Sequence, residues 1–398
     1  MHPSRYFRVA LMAAVCFAPF LAGSVRADEG VWKTAYYKRG FVGNYKSDWA
    51  GGLDAAVLAR TPMAYGGTQV RVSVQGCWDQ PVNLSGMSLV RGADNVGHTQ
   101  GSEYPVTFAG ISTLALATGL KTAVSDPITA PMSQGTWYVK DRYTAATAPA
   151  YYPYAYEVDN EYVASNLSPI KGTRTGITNR IDVLTTDTRP AIVFYGDSIT
   201  AGYNSTPNTG NRYPEIFSSL KQNHPVLNLG VNGDLLTQAR GSSSLISGLS
   251  GVGSVVYLMG INDLINNTIT TTGGYTSIAQ TLIDQNHQAG RQVYWGTILP
   301  ATGYAGGFDA SKEALRQSIN TWIRTQVGAD GVIDFDLALR DPSDTTRMLP
   351  AYQSDWLHPN DAGYQKMAET AAAMVPEPVG LTVLSLGGLA LLARRRRA

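Results

Sequence analysis

The chain has 398 residues, of which 44% are hydrophobic and 15% are charged, so it is not a disordered or fibrous protein and is long enough for two domains. It contains 31 lysine and arginine residues against 30 aspartate and glutamate residues. Seven of the basic residues lie in two end segments described below, which leaves the rest of the chain mildly acidic. This balance disfavours nucleic acid as a partner, because such a partner requires a basic surface.

Residues 1–27 have the features of a secretory signal peptide. Arg5 and Arg8 precede an apolar run that extends from residue 9 to about residue 22, and Val25 and Ala27 occupy the positions that a signal peptidase prefers. The alternative, a buried first helix, fits this order of features less well. We therefore expect cleavage after Ala27 and export of the mature chain.

Residues 28–185 predict a domain of antiparallel strands. Short alternating runs are interrupted by glycine and proline, and in TQVRVSVQG the alternation places Val70, Val72 and Val74 on one face. Such a pattern predicts a β-sandwich. Residues 144–180 form a tyrosine-rich connection for which the sequence predicts no clear element.

From about residue 188 the pattern changes to strands that alternate with helices. Five apolar runs predict strands, and these are AIVFYG, VLNLGV, SVVYLMG, QVYWGTIL and GVIDFD. Runs such as YTSIAQTLIDQNHQAG and ASKEALRQSINTWIRTQVG have helical periodicity. Apolar strands flanked by helices predict a parallel sheet that is covered on both faces. We therefore expect a three-layer α/β/α domain over residues 186–374.

Polar residues follow the predicted strands at the edge where such sheets bind ligands, beyond their carboxyl ends. The first strand ends at Asp197 and Ser198, the second leads into residues 228–233, and the third ends at residues 260–263. The segment SDWLHPNDAGY follows the fifth strand. A serine, a glycine, an asparagine and an Asp/His pair therefore converge on one edge. We expect Asp197 and Asp263 to have structural roles, Asp197 through hydrogen bonds to its loop.

A serine nucleophile needs a base, and few histidines are available for this role. The predicted mature chain has four of them. His224 and His287 precede strands and so lie at the opposite edge of the sheet, while His98 belongs to the β-rich half. His358 remains on the productive edge, and Asp355, three residues earlier, can hold its imidazole from within one turn.

Four short blocks resemble those of the SGNH hydrolases, also called GDSL-type esterases and lipases. GDSIT resembles the nucleophile block, NLGVNGD the second, GIND the third and DWLHP the last. Each block alone is a weak signal, but their order and their places at strand ends make the combination specific. The resemblance covers residues 188–373, and the β-rich part in front resembles a secreted bacterial subgroup. One departure is visible, because Asn232 and Asp234 replace the more usual small residue and asparagine around Gly233.

The resemblance implies a flavodoxin-like fold and a serine esterase. It matches Ser198 to the nucleophile, His358 to the base and Asp355 to the residue that orients the base. The backbone amides of Ser198 and Gly233 and the side chain of Asn262 are matched to the oxyanion hole. The implied reaction needs no cofactor and no metal. Its substrate is an ester of a carbohydrate or a lipid, with O-acetyl groups on polysaccharides as one candidate.

Residues 375–398 form the second end segment. Pro376, Glu377 and Pro378 are followed by fifteen uncharged residues and then by four arginines at 394–397. These parts in this order resemble a PEP-CTERM sorting tail. As a helix the apolar stretch is about 22 Å long, slightly short for a full span, and the arginines favour a cytoplasmic end. The resemblance implies a transient membrane anchor that an exosortase-type sorting protease removes, and a location in the cell envelope or outside the cell.

Two other functions fit parts of this pattern. One is a surface-anchored carbohydrate-binding or adhesive protein in which the site is vestigial. The other is a nucleotide binder built on the same sheet, but the loop after the first strand lacks the run of glycines that cradles a phosphate. A covalent probe for reactive serines distinguishes an esterase from both. The sequence leaves the oligomeric state open.

Overall fold

A computed structural model describes most of the chain between residues 30 and 376. The described segments are residues 30–39, 53–76, 81–93, 99–145, 162–165, 168–171, 177–206, 209–325 and 328–376. The predicted signal peptide at residues 1–27 and the tail beyond residue 376 lie outside them and stay predictions. Within these segments, no helix is both long and apolar enough to cross a membrane.

The first part of the described chain consists of antiparallel strands. They are β1 (Val31–Tyr37), β2 (Leu53–Met63), β3 (Gly67–Gln75), β4 (Val82–Ala93), β5 (Thr99–Pro105), β6 (Leu114–Leu116), β7 (Thr122–Val124), β8 (Ile128–Met132), β9 (Gly135–Ala145), β10 (Tyr162–Ser165), β11 (Ser168–Lys171) and β12 (Thr178–Thr185). One sheet has the order β1-β12-β3-β7, with β8 also paired to β3. The other has the order β11-β10-β2-β9-β4-β5, with β6 also paired to β4.

Alternating burial explains why these residues form strands. In β3, Val70, Val72 and Val74 are fully buried, as their spacing predicts. In β9, Trp137 and Val139 are buried, whereas the residues between and after them are partly or fully exposed. A period of two is expected when one face of a strand packs against a core. The region is thus rich in strands, as expected for a β domain, and the exact domain boundaries stay predictions.

The second part of the described chain is mixed α/β. Its elements are β13 (Ala191–Gly196), α1 (Ser198–Ala201), α2 (Tyr213–Leu220), β14 (Val226–Gly230), α3 (Ser242–Ser247), β15 (Val252–Leu258), α4 (Ile261–Ile265), α5 (Thr272–Gln288), β16 (Gln292–Gly296), α6 (Ala310–Thr325), β17 (Gly331–Ile333), α7 (Phe335–Leu339), β18 (Arg340–Asp341), β19 (Asp344–Met348) and α8 (Asp361–Met374). Short 3₁₀ helices lie at Leu236–Gly241 and Pro350–Tyr352. Strands β18 and β19 form a separate antiparallel pair.

Five strands of this part form one parallel sheet in the order β14-β13-β15-β16-β17. Each of them overlaps one of the five predicted apolar runs, although β17 ends at Ile333 and the last two residues of the run GVIDFD begin α7. The first strand of the series lies between the second and the third, which is the order of flavodoxin-like sheets. The predicted fold class, a three-layer α/β/α domain with a parallel sheet, is therefore confirmed.

Aromatic side chains pack on both faces of the interior strand β13. On one face, Phe194 lies 5.4 Å from Tyr213 and 5.1 Å from Phe217 of α2, measured between ring centroids. On the other face, the ring of Tyr195 lies 5.4 Å from that of Tyr257 in β15. All six residues of β13 are buried, which explains why its sequence is an unbroken apolar run rather than an alternating one.

The antiparallel and parallel parts are joined by hydrogen bonds. The amide of Thr34 in β1 donates to Ser250 O at 3.1 Å, and the amide of Ser250 donates to Thr34 Oγ1 at 3.0 Å. Lys33 Nζ donates to Asp187 O at 2.6 Å and to Arg189 O at 2.9 Å. Strand β1 is therefore held against the start of the parallel sheet by backbone groups as well as by a side chain.

The helix α1 lies directly against strand β14, and a glycine makes this possible. A Cβ atom on Gly230 would overlap the backbone nitrogen of Ala201, which belongs to α1. The contact is reinforced by Asn228, whose Nδ2 donates to Thr200 O at 2.9 Å. Because the obstructing atoms are backbone atoms, a side chain at position 230 cannot be accommodated by a rotamer change.

We expect Gly230→Ala to lower the free energy of unfolding by about 3 kcal/mol, because the added methyl group must displace α1 from the sheet. Urea unfolding followed by circular dichroism measures this loss. Gly241→Ala is the matched control, since a Cβ atom at Gly241 meets no atom within 4 Å. If both variants are as stable as the parent protein, α1 does not lie against β14.

Candidate active site

Ser198 is the first residue of α1, immediately after the carboxyl end of β13. Its side chain is largely buried, and the residue as a whole is 6% exposed. Ser198 Oγ lies 2.9 Å from His358 Nε2, although the two residues are 160 positions apart in the chain. The structure thus brings these two candidate site residues within hydrogen-bond distance.

A tight loop before α8 holds Asp355 and His358 together. Asp355 Oδ2 lies 2.8 Å from His358 Nδ1, and Asp355 Oδ1 accepts the backbone amide of His358 at 2.7 Å. The intervening Trp356 has a positive φ of 66°, which turns the chain back so that both contacts form. An ionised carboxylate can only accept hydrogen bonds, so Nδ1 carries the proton and Nε2 is free to accept the hydroxyl of Ser198.

Asp355 is ionised over the whole physiological range. Burial by itself would raise the pKa of Asp355, but hydrogen bonds from the ring and the backbone amide of His358 lower it to about 2. Asn204 adds a further donor, with its Nδ2 3.2 Å from Asp355 Oδ2. The carboxylate therefore fixes the orientation of the imidazole.

The two other candidate donors are the backbone amide of Gly233 and the side chain of Asn262, at the same edge of the sheet. Gly233 lies in a turn after β14 with a positive φ of 74°, and its backbone is exposed. Asn262, in the first turn of α4, is 9% exposed, and its Nδ2 donates to the carbonyl of Asp234 at 3.1 Å. The turn is joined to the end of β13 because Val231 N donates to Gly196 O at 3.0 Å. The turn of Gly233, the side chain of Asn262 and the end of β13 are thus joined at one edge.

Asp197 and Asp263 have the structural contacts that we expected. Asp197 caps α1, with its Oδ1 accepting the amide of Ile199 at 2.9 Å. Asp263 is fully buried and accepts the amide of Leu236 at 2.6 Å and the hydroxyl of Thr268 at 3.0 Å. Both carboxyl groups therefore order the loops that carry the candidate site residues.

Two other histidines lie at the opposite edge of the sheet, as predicted. His224 is buried and its Nε2 lies 3.0 Å from Pro190 O, just before β13 begins. His287 Nε2 lies 2.8 Å from Asp330 Oδ2, just before β17 begins. His98 lies outside the described residues. His224 and His287 are therefore engaged in contacts remote from Ser198.

Sequence reasoning missed two residues that border the site. The ring of Tyr203, which is 37% exposed, lies 4.5 Å from the His358 ring between centroids. Asn204, with a positive φ of 67°, is the donor to Asp355 described above. Both follow α1 within three residues, so their position just after the block GDSIT was the one sequence feature that could have marked them as candidates. Nothing in their spacing indicates that Tyr203 contacts His358 and Asn204 contacts Asp355, each more than 150 positions away.

Comparison with known proteins places this site in a family. The model of the GDSL-like Lipase/Acylhydrolase family matches residues 194–366. This part of the chain is a GDSL-type lipase/acylhydrolase domain. A search of curated proteins finds no match.

Solved structures with similarity to the chain include three bacterial proteins. A member of the lipolytic protein G-D-S-L family from Veillonella parvula is 21% identical, with a TM-score of 0.37 over 46% of this chain and 96% of that one. A GDSL-like lipase from Bacteroides thetaiotaomicron is 19% identical, with a TM-score of 0.37 over 46% and 86%. A carbohydrate acetylesterase family member from Sinorhizobium meliloti is 16% identical, with a TM-score of 0.37 over 46% and 96%.

The protonation of Asp197 gives a test of this edge of the GDSL-type domain. Burial, with the nearby carboxylates of Asp234 and Asp263, raises the pKa of Asp197 to about 7, although the Ile199 amide opposes the shift. Asp197 Oδ2 has no hydrogen-bond partner among the described residues. An unfolded aspartate loses its proton near pH 4, so between about pH 4 and about pH 7 rising pH stabilises the unfolded state.

The asparagine side chain in the Asp197→Asn variant cannot ionise in either the folded or the unfolded state. The free energy of unfolding of the variant, relative to that of the parent protein, should therefore increase as pH rises. The gain is at most about 1.4 kcal/mol per pH unit and ends near pH 7. Urea unfolding of both proteins at about pH 4.5 and about pH 7 measures it. A difference that does not change with pH would show that Asp197 is ionised in the folded protein.

Proposed function

We propose that the chain is an exported serine esterase that hydrolyses carboxylic esters through Ser198, His358 and Asp355. One observation carries the proposal: within a GDSL-type domain, Asp355, His358 and Ser198 form a continuous hydrogen-bonded series with distances of 2.8 Å and 2.9 Å. This series ends in a hydroxyl at the carboxyl edge of a parallel sheet, where such sheets bind ligands.

In the first half of the reaction, Ser198 Oγ attacks the carbonyl carbon of the ester. His358 Nε2 takes the hydroxyl proton as the new bond forms, and Asp355 stabilises the resulting imidazolium. The imidazolium then protonates the leaving alcohol oxygen when the carbon–oxygen bond of the ester breaks. The acyl group stays on Ser198.

In the second half, water attacks the carbonyl carbon of the acyl group while His358 takes a proton from the water. His358 then donates this proton to Ser198 Oγ as the bond between Oγ and the acyl carbon breaks. In both halves the carbonyl oxygen becomes negatively charged. The amides of Ser198 and Gly233 and the Nδ2 group of Asn262 are the donors proposed for this charge. Donors that are in place before reaction lower the barrier because they need no reorganisation.

Within the class of carboxylic esters, we propose O-acetyl groups on polysaccharides as the substrate. The predicted export brings the enzyme to polysaccharides at or outside the cell surface. The exposed ring of Tyr203 beside His358 offers a flat surface next to the scissile bond. Lipid esters are the competing class, and the panel of esters described below separates the two.

The location of the chain is also a proposal. Residues 1–27 direct export, residues 375–398 anchor the protein transiently in the membrane, and an exosortase-type protease then releases it. The order of a Pro-Glu-Pro motif, an apolar run and an arginine cluster in the sequence supports this interpretation.

The catalytic roles are tested with three single variants and one double variant. We expect Ser198→Ala and His358→Ala each to lower kcat by roughly 10⁶-fold, because each removes the proton-transfer unit. Asp355→Ala should cost less, since Asp355 moves no proton. The Asp355/His358 double variant should be barely worse than His358→Ala, because residues that act as one unit are not additive.

The measurement is hydrolysis of p-nitrophenyl esters from acetate to palmitate, followed by acetate release from acetylated polysaccharides. Ser205→Ala is the matched control, because it removes another buried hydroxyl, from the segment just after α1, and should retain activity. A folded Ser198→Ala protein with full turnover would refute the assignment. A preference for the palmitate ester over the acetate ester would indicate that the substrate is a lipid ester rather than a carbohydrate ester.

The tail is tested by deleting residues 375–398. If this segment is the anchor, the truncated protein should move from the membrane fraction to the soluble exported fraction, with its esterase activity intact. Immunoblots of fractionated cells and medium follow the change. A truncated protein that still sediments with membranes must be anchored by another part of the chain.

A further inference from the structure

Asp234 connects the two donors of the oxyanion site that come from outside α1. It directly follows Gly233, and its own amide donates to Val231 O at 3.1 Å, which closes the turn. Its carbonyl accepts one N–H of Asn262 Nδ2 at 3.1 Å. The NH₂ group of Asn262 has a second N–H, and the first contact fixes its direction. The position of Asp234 therefore determines the positions of both the Gly233 amide and the Asn262 side chain.

Asp234 is itself held by a residue of the antiparallel part. Arg39, two residues after β1, donates through Nη2 to Asp234 Oδ2 at 2.6 Å and through Nη1 to Leu229 O at 3.0 Å. Its guanidinium carbon lies 3.9 Å from the ring centroid of Tyr195 in β13. The side chains of Arg39 and Asp234 are 11% and 4% exposed. One guanidinium thus contacts the turn, the strand before it and the strand that leads to Ser198.

The charge of Arg39 matters because Asp234 is buried. Burial raises the pKa of the Asp234 carboxyl, and the Arg39 guanidinium acts in the opposite direction. The neighbouring carboxylate of Asp263 adds to the upward effect. Without Arg39 the carboxylate would have to take up a proton or turn towards water, since an unpaired buried charge is strongly unfavourable. Either change alters the turn that carries Gly233.

We propose that Arg39 is a positioning residue for the oxyanion site, through which the antiparallel part controls the turnover rate of the hydrolase part. The proposal rests on the esterase function proposed above. Arg39 acts through Asp234 on the Gly233 amide and the Asn262 side chain, and it does not touch the reacting atoms. A lysine cannot replace it fully, because only a planar guanidinium can donate to Asp234 and Leu229 while it lies flat on Tyr195.

The proposal predicts that Arg39→Ala lowers kcat for p-nitrophenyl acetate by roughly 10- to 100-fold with little change in KM. The loss is smaller than the roughly 10²- to 10³-fold expected for Asn262→Ala, because the donors are misplaced rather than removed. Arg39→Lys should recover part of kcat, and added ethylguanidinium should recover part of kcat in Arg39→Ala. If Arg39 served only to hold the two parts together, Arg39→Ala would not lower kcat selectively. Neither the lysine substitution nor ethylguanidinium would then recover kcat.

Arg180→Ala is the matched control. Arg180 also belongs to the antiparallel part, and its Nη1 donates to Gly248 O of the parallel part at 2.8 Å, but it contacts neither Asp234 nor Asn262. This variant should keep the kcat of the parent protein. Urea unfolding of each variant shows which changes in rate come from loss of folded protein.

A double variant tests the path from Arg39 to the donors. The loss in Arg39→Ala/Asn262→Ala should be clearly smaller than the product of the two single losses, because both act on one unit. If Arg39→Ala does not fold, Asp234→Asn serves instead. It removes the buried carboxylate and so the ion pair, leaves an amide oxygen that can still accept a hydrogen bond from Arg39, and should lower kcat with little change in KM.

Three results would overturn the proposal. They are a folded Arg39→Ala protein with unchanged kcat, a loss that appears only in KM, and single losses that multiply in the double variant. A parent protein that hydrolyses no ester in the panel would instead refute the esterase function, and this proposal with it. The two failures are distinguishable because the first set requires an active parent enzyme.

Discussion

The site depends on how closely the backbone of α1 approaches strand β14. Gly230 leaves no side chain between them, so Ser198 can follow β13 directly and still present its hydroxyl at the edge of the sheet. Strand β13 is buried on both faces, and a close-packed interior resists displacement. A rigid sheet of this kind positions a nucleophile within the small tolerances that acyl transfer requires. The packing of α1 against β14 at Gly230 therefore determines both the stability of the sheet and the geometry of the site.

The two halves of the site are assembled in different ways. Asp355 and His358 lie within one turn of chain, and their contact needs only a loop that closes locally, with Trp356 in a left-handed conformation. The oxyanion half is built from separate elements, since Gly233 follows β14 and Asn262 begins α4. A local pair is insensitive to small shifts between elements. The donors are sensitive to such shifts, and this half is the one that receives support from outside the parallel sheet.

The sequence predicted the features that depend on a local residue pattern, but it did not predict the contacts between segments that are distant in the chain. The five parallel strands follow from their apolar runs, and the meeting of Ser198 with His358 follows from the rule that parallel strands end at one edge. The pairing of β1 with β12 could not be predicted, because some 140 positions separate residues such as Tyr37 and Arg180 that face each other. Arg39 was missed for the same reason, since no local signal connects it to the turn of Gly233. The signal peptide was inferred from the order of its sequence features and the tail from its resemblance to PEP-CTERM sorting tails, and both remain predictions.

Charge gives the antiparallel part a role at the site beyond packing. Asp197, Asp234 and Asp263 are all buried at the carboxyl edge of the sheet. The carboxylates of Asp234 and Asp263 help to raise the pKa of Asp197, and that of Asp263 helps to raise the pKa of Asp234. Three carboxyl groups of this kind cannot all be ionised at low cost unless a cation is near. Arg39 supplies that cation at Asp234, and the raised pKa of Asp197 lets this residue remain neutral. The loops that surround Ser198 are thus ordered by acids whose charge is balanced partly by protonation and partly by a residue of the neighbouring sheets. A parallel part that had lost this contact would keep the hydrogen bonds among Asp355, His358 and Ser198 but would have to rebalance the charges near Gly233 and Asn262.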